Sequence, residues 1–169
     1  MIFKLKLAAF VFLLGLGVTS STVANAQIKG KKPVLKTDSV GVVGSLLSFA
    51  TKHLHAPYRS GGSSKKGFDC SGFVRYCFEK WDVSLPHSSE AQAKKGAVID
   101  LLNAKPGDLI FFKGNSTKTS RIGHVGIITE VSPSYVRFIH SAWNGGIRYD
   151  LLSASYYQKR FVAIRRLID

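Results

Sequence analysis

Apolar side chains at Val43, Leu46, Leu47, Phe49, Ala50 and Leu54 recur at the three- and four-residue spacing of an amphipathic helix. Ser39 can cap that helix, which the pattern carries to about His55. Ala56 to Gly67, rich in Gly, Ser and Lys, breaks the pattern and reads as a loop. Helical spacing returns over roughly Cys70 to Trp81, with Phe73, Val74, Cys77, Phe78 and Trp81 on the apolar side. A turn around Leu85-Pro86-His87-Ser88 leads to a short helix, about Ser89 to Lys95. The pattern then changes to short β-branched or aromatic runs: Asp108 to Gly114, Gly123 to Val131, Tyr135 to Ala142, Gly146 to Leu152 and Phe161 to Leu167. Helices first and a strand meander after predict an α+β domain, with N-terminal helices packed on one face of a mostly antiparallel sheet of about five to six strands.

The N-terminus follows a different rule. Lys4 and Lys6 precede an uncharged apolar run, Leu7 to Val18, and Ala24-Asn25-Ala26 forms a small-x-small site before Gln27. Residues 1–26 therefore read as a secretory signal peptide. The run is too short to span a bilayer comfortably, so no stable membrane anchor is expected. Residues 27–38, with four lysines, a Gly and a Pro, read as a basic flexible linker, which leaves 39–169 as the domain. The chain has 169 residues, 45% of them hydrophobic, enough for one domain with a core. Its formal charge is +14, and +12 once Lys4 and Lys6 leave with the leader. Such a balance on an exported protein favours anionic surfaces: wall polymer, lipid headgroups or nucleic acid.

Only two cysteines are present, Cys70 and Cys77. On one helix their Cα atoms would stand roughly 10.5 Å apart, whereas a disulfide needs about 7 Å or less. A bridge between them is excluded if the helix forms. No CxxC and no histidine at helical ligand spacing accompanies them, so a metal site is not indicated. Cys77 lies among apolar residues and reads as core. Cys70 opens the helix, where unpaired backbone N–H groups and the dipole favour a thiolate.

A nucleophilic thiol needs a base, and the base an orienting group. His53 and His55 fall at the end of the first helix, a position that suits a cation. His124 begins the strand "IGHVGIIT" and His140 lies late in the next, "FIHSAW". A hairpin turned at Ser132-Pro133-Ser134 would pair positions summing to about 266. That sets His124 and His140 two positions out of register on one face, close enough for one imidazole to orient the other. Two half-buried strand histidines are the alternative; the presence of Cys70 favours catalysis.

"PYRSGGSSKKGFDCSGFVRYCF", "LPHSSEAQ", "KPGDLIFFKG", "IGHVGIITE" and "FIHSA", in that order, resemble the NlpC/P60 family of cell-wall cysteine peptidases. The layout is most like the single-domain Spr-type murein endopeptidases of Gram-negative bacteria. The resemblance implies a pared-down papain-like fold without metal or cofactor, in which Cys70 is the nucleophile, His124 the base and His140 the third polar residue. It places Tyr58 beside the nucleophile at the oxyanion, and Asp69, Ser71, His87 and Ser88 along the substrate groove. Two positions depart from the family's wording: Ser60 where an aromatic is common, and His87 where "LPRSS" has Arg. An imidazole there lacks the permanent charge and bidentate donors of a guanidinium.

The expected activity is hydrolysis of amide bonds in peptidoglycan stem peptides or cross-links, with D-Ala–diaminopimelate cross-links as the substrate. The alternatives are D-Glu–diaminopimelate cleavage, or a basic wall-binding protein without turnover. The expected location is the periplasm of a Gram-negative bacterium, or the medium if the protein is secreted. Nucleic acid is not expected as a partner, because the lysines are scattered and no reading motif is present. Oligomeric state is left open.

Overall fold

The structure, a computed structural model, describes residues 39–114 and 116–169. The expected signal peptide and linker, 1–26 and 27–38, lie outside the described residues. The first helix, α1 (Ser39–Thr51), is followed by a small hairpin of β1 (Ser63–Ser64) and β2 (Gly67–Phe68), and then by α2 (Cys70–Glu79) and α3 (Ser89–Gln92). The remaining elements are β3 (Ala97–Ile99), a 3-10 turn at Leu101–Asn103, β4 (Leu109–Lys113), β5 (Ile122–Val131), β6 (Val136–Ala142), β7 (Gly146–Leu151), α4 (Ser155–Gln158) and β8 (Phe161–Arg166). Strands β3 to β8 form one six-stranded sheet in the order β3-β8-β4-β5-β6-β7, antiparallel throughout. Among the described residues no helix is long and apolar enough to cross a membrane.

The α+β expectation holds, and the boundaries show what local pattern misses. α1 stops at Thr51, short of His55, which takes a left-handed φ of 68° ahead of Ala56-Pro57. His53 lies in the turn beyond, its Nδ1 2.9 Å from the Phe49 carbonyl. The five expected strands are present, each within a residue or so of the predicted ends. β1, β2, β3 and α4 are additions.

Alternation along the central strands divides the core in two. Leu109 and Phe111 of β4, Val125 and Ile127 of β5, and Ile139 of β6 face Leu46, Ala50, Phe73, Val74, Cys77 and Phe78 of the helices. Ile110, Phe112, Ile128 and Phe138 point the other way, toward Tyr157 of α4 and Ile164. The sheet is thus covered on both faces: α1 to α3 on the expected one, α4 on the other. Fully burying each of the Val, Leu, Ile and Phe side chains among them contributes roughly 1.5–3 kcal/mol.

The β5–β6 register follows the predicted sum: Ile127 pairs with Ile139 and Ile128 with Phe138. One position is then gained at Thr129, so that Glu130 pairs with Arg137. The slip lies on the turn side, away from His124 and His140. Gly126 is what lets the strands close up beside those histidines. A Cβ there would meet a Phe138 ring carbon at 2.8 Å, the Ile139 carbonyl at 3.1 Å and His140 Cβ at 3.2 Å.

Candidate active site

β2 delivers the chain to α2 through Asp69, whose extended backbone and carboxylate form the helix N-cap. Asp69 Oδ1 accepts from the Gly72 N–H at 2.6 Å and from the Ser71 hydroxyl at 3.0 Å. Oδ2 accepts from the Gly61 N–H at 3.0 Å. His87 Nε2 lies 3.0 and 2.9 Å from the two oxygens. One carboxylate therefore ties together the glycine loop, the start of α2 and the turn before α3. Ser71 is buried with its hydroxyl directed at Asp69, and His87 is half-buried on the same group. Ser88 is exposed and caps α3, accepting from the Ala91 N–H at 3.3 Å. Gln92, fully buried, donates to the Ser71 and Pro86 carbonyls at 2.9 and 2.8 Å and anchors that turn beneath α2.

Cys70 and Cys77 share α2 and both are free thiols, Cys77 buried and Cys70 half-buried. Cys70 Sγ approaches the Gly123 carbonyl at 4.0 Å, at the start of β5. Burial pushes its thiol up to about 11, helped by the Asp69 carboxylate, while the N–H groups of Val125, Ser71 and Cys70 pull the other way. This corrects the expectation of a thiol lowered by its helix terminus: the N–H groups are in place, but burial outweighs them. Tyr58 stands near the same group. Its backbone bridges to Phe68, and burial, with Cys70 and Asp69 adding to it, raises its phenol, which stays protonated and able to donate.

The histidines come from the other side of the sheet. His124 lies opposite Phe112, and its ring packs near that of Phe112. Its Nε2 is 2.8 Å from His140 Nδ1, and the two rings meet edge to face. His140 is fully buried against Phe138 and Tyr157. Burial, reinforced by His140, holds half-buried His124 down at about 3, with Asp150 acting in the opposite sense. Burial also lowers His140, against the pull of Asp150. Both rings are therefore neutral near pH 7. Cys70 packs against the helical core and the histidine rings lie beside Phe112, Phe138 and Tyr157 of the opposite one, while Cys70 Sγ comes within 4.0 Å of the carbonyl of Gly123, next in sequence to His124.

Three side chains that pattern reading did not single out complete the cluster. Asp150 Oδ2 lies 2.8 Å from His140 Nε2, 2.8 Å from the Tyr157 hydroxyl and 2.9 Å from Arg148 Nε. Burial would raise the Asp150 carboxyl, but the hydrogen bonds from His140 and Tyr157 win and bring it to about 2. Nothing in "GIRYDLL" or "SASYYQ" signals this: β7 reads as an ordinary alternating strand, and α4 is only four residues long. Among the described residues no group of three or more His, Cys, Asp or Glu side chains is arranged to hold a metal ion.

The sequence pattern of the NlpC/P60 family matches residues 55–166. The chain is 36% identical over 132 residues to the probable endopeptidase NlpC of Escherichia coli (strain K12), across 78% of this chain and 82% of that protein. It is 36% identical over 113 residues to the Murein DD-endopeptidase MepS/Murein LD-carboxypeptidase of the same organism, across 66% of this chain and 56% of that relative. Among solved structures, an NlpC/P60 family protein from Bacillus cereus ATCC 10987 superposes with a TM-score of 0.68 at 26% identity, over 75% of this chain and 40% of the other. With the family's pattern running from the loop before Tyr58 to the last strand, this chain belongs to the NlpC/P60 family.

Proposed function

We propose that the protein is an exported cysteine peptidase that hydrolyses amide bonds in peptidoglycan peptides, with D-Ala–diaminopimelate cross-links as the preferred substrate. The observation that supports this reading is a helix-terminal thiol within 4.0 Å of the Gly123 carbonyl, next in sequence to His124, which is itself paired with His140. The relatives named endopeptidase NlpC and murein DD-endopeptidase support the reaction class and the substrate.

In this mechanism Cys70 passes its proton to His124 as the sulfur attacks the substrate carbonyl. A neutral resting pair makes the transfer part of the attack rather than a step before it. The Cys70 N–H and the Tyr58 hydroxyl face the oxyanion as it forms. His140 orients His124, as the third member of a triad does. His124 then returns the proton to the leaving amine, and water opens the thioester. Arg59, Lys65 and Lys66 are exposed on the loop that leads to Cys70. They favour a carboxylate-bearing polymer, an attraction that salt weakens.

The test is digestion of purified cross-linked murein sacculi, with Cys70→Ala as control and mass spectrometry of the products. Loss of cross-links and release of monomeric tetrapeptides by the wild type alone is the expected result. Products cut between D-Glu and diaminopimelate would replace the preferred bond with that of the DL-endopeptidases. No products from either form would favour a wall-binding protein without turnover.

A further inference from the structure

We propose that Asp150 is a positioning residue for the reaction: through His140 it sets the tautomers of both histidines and leaves His124 Nδ1 as the bare nitrogen that receives the Cys70 proton. The inference rests on the Cys70–His124 reading given above.

Asp150 stands on β7 two residues beyond Arg148, the cross-strand partner of His140. Side chains two apart on a strand share a face, so Arg148, Asp150 and His140 project together. A single oxygen, Asp150 Oδ2, collects His140 Nε2, the Tyr157 hydroxyl and Arg148 Nε, all within 2.9 Å. An ionised carboxylate can only accept, so Nε2 of His140 carries a proton. The Tyr157 hydroxyl also lies 3.3 Å from Nε2. A bare Nε2 would nevertheless oppose its lone pair to a carboxylate oxygen at 2.8 Å, which rules that tautomer out.

The rest follows by hydrogen-bond bookkeeping. A neutral imidazole has one N–H, so His140 Nδ1 is an acceptor. His124 Nε2, 2.8 Å away, must donate to it. His124, also neutral, then keeps its bare lone pair on Nδ1, the ring nitrogen nearer its own backbone. That backbone, at Gly123 and Val125, is where the Cys70 thiol sits. In the reaction one proton moves from Sγ to Nδ1 while the sulfur lone pair forms the bond to carbon. Asp150 remains ionised throughout, and no proton travels along the chain of histidines. Arg148 and Tyr157 hold the carboxylate in place, and its charge, two rings away, favours the transient imidazolium.

Nitrogen-15 NMR of the histidine-labelled full chain reads the tautomers directly. The wild type is expected to show protonated Nε2 and bare Nδ1 on both His124 and His140. A proton on Nδ1 of either ring overturns the proposal, even if no variant folds. Asp150→Ala removes the acceptor and should give mixed tautomers at His140. Its kcat should fall about ten- to a hundredfold, by analogy with the loss of partners that orient metal-bound histidines, with KM little changed. Asp150→Asn can still turn an oxygen toward the three donors. It should restore the wild-type tautomers and part of kcat. If both variants keep wild-type tautomers and kcat per folded molecule and lose only stability, Asp150 is structural and the proposal fails. If no form cuts murein, the peptidase reading fails instead, and the wild-type tautomers together with the rate of Cys70 alkylation in Asp150→Ala still decide for or against Asp150: a rate unchanged from wild type counts against it.

Discussion

In the proposed mechanism Cys70 and His124 enter the reaction as a thiol and a neutral imidazole. Burial, with the Asp69 carboxylate, pushes the thiol up to about 11, and burial, with His140, brings the imidazole to about 3. A cysteine–histidine ion pair would have the opposite order. The difference is measurable without substrate, as the rate of iodoacetamide alkylation of Cys70 against pH; Cys77 is fully buried. The rate is expected to keep rising beyond about pH 9, where an unperturbed thiol is already largely ionised. A plateau reached below about pH 6 would show a preformed thiolate. Asp69→Asn keeps a capping side chain but removes the charge, so its profile should shift to lower pH. His87 acts on the same carboxylate from its other side. The pair is mostly shielded, with 25% and 16% of the two side chains exposed. His87→Ala is expected to cost about 1–3 kcal/mol in urea unfolding, and His87→Arg, which keeps a donor, should recover part of it. Equal stability of wild type and His87→Ala would mean that the contact does not hold the loop to α2.

At the scale of elements, the site depends on how closely β5 and β6 approach, and Gly126 sets that approach. Gly126→Ala would press a methyl into Phe138, the Ile139 carbonyl and His140 Cβ. Overpacking of this kind costs about 1–3 kcal/mol, and here the strain falls on the strand that carries His140. The variant should therefore lose stability and also activity per folded molecule. Loss of stability with full specific activity would show that the histidine pair tolerates a wider gap. Much of this arrangement is legible in the sequence. Apolar spacing marks α2 with Cys70 at its start, and alternation marks five strands. The turn at Ser132-Pro133-Ser134 sets a register that holds at Ile127 and Ile139. What stays hidden depends on partners distant in the chain. β3 is three residues between Gly96 and Asp100, and it is a strand because β8 pairs with it. α4 is too short for any period, yet it delivers Tyr157 to Asp150. Asp150 itself looks like an outward polar residue of β7 until β6 brings His140 alongside. The helix-terminal thiol misleads in the other direction: its local surroundings favour a thiolate, and tertiary burial reverses that.

For the whole molecule, the neutral histidines link the chemistry to acid stability. In the unfolded chain both take up protons as pH falls through about 6.5, whereas in the fold His124 resists until about 3 and His140 is likewise lowered. Below 6.5 the unfolded state therefore binds more protons than the folded one, and stability falls as pH falls. Asp150 adds to the loss at the acid end. Its carboxyl lies at about 2 against 3.8 unperturbed, so the stability that it contributes is present above 3.8 and disappears as pH drops toward 2. Each proton of difference is worth about 1.4 kcal/mol per pH unit. With an allowance for the half-exposed His124, the fold should lose about 2–4 kcal/mol between pH 7 and pH 5. Urea unfolding across that range measures it, and the double variant His124→Gln/His140→Gln should give a flatter slope whatever its absolute stability. A slope equal to the wild type's would assign the acid loss to other groups. Because His124 stays a free base well below the pH at which the fold weakens, the acid limb of activity should follow unfolding rather than a histidine titration. An acid limb near pH 6.5 in a protein still fully folded at that pH would break the link between burial of the histidine pair and its chemistry.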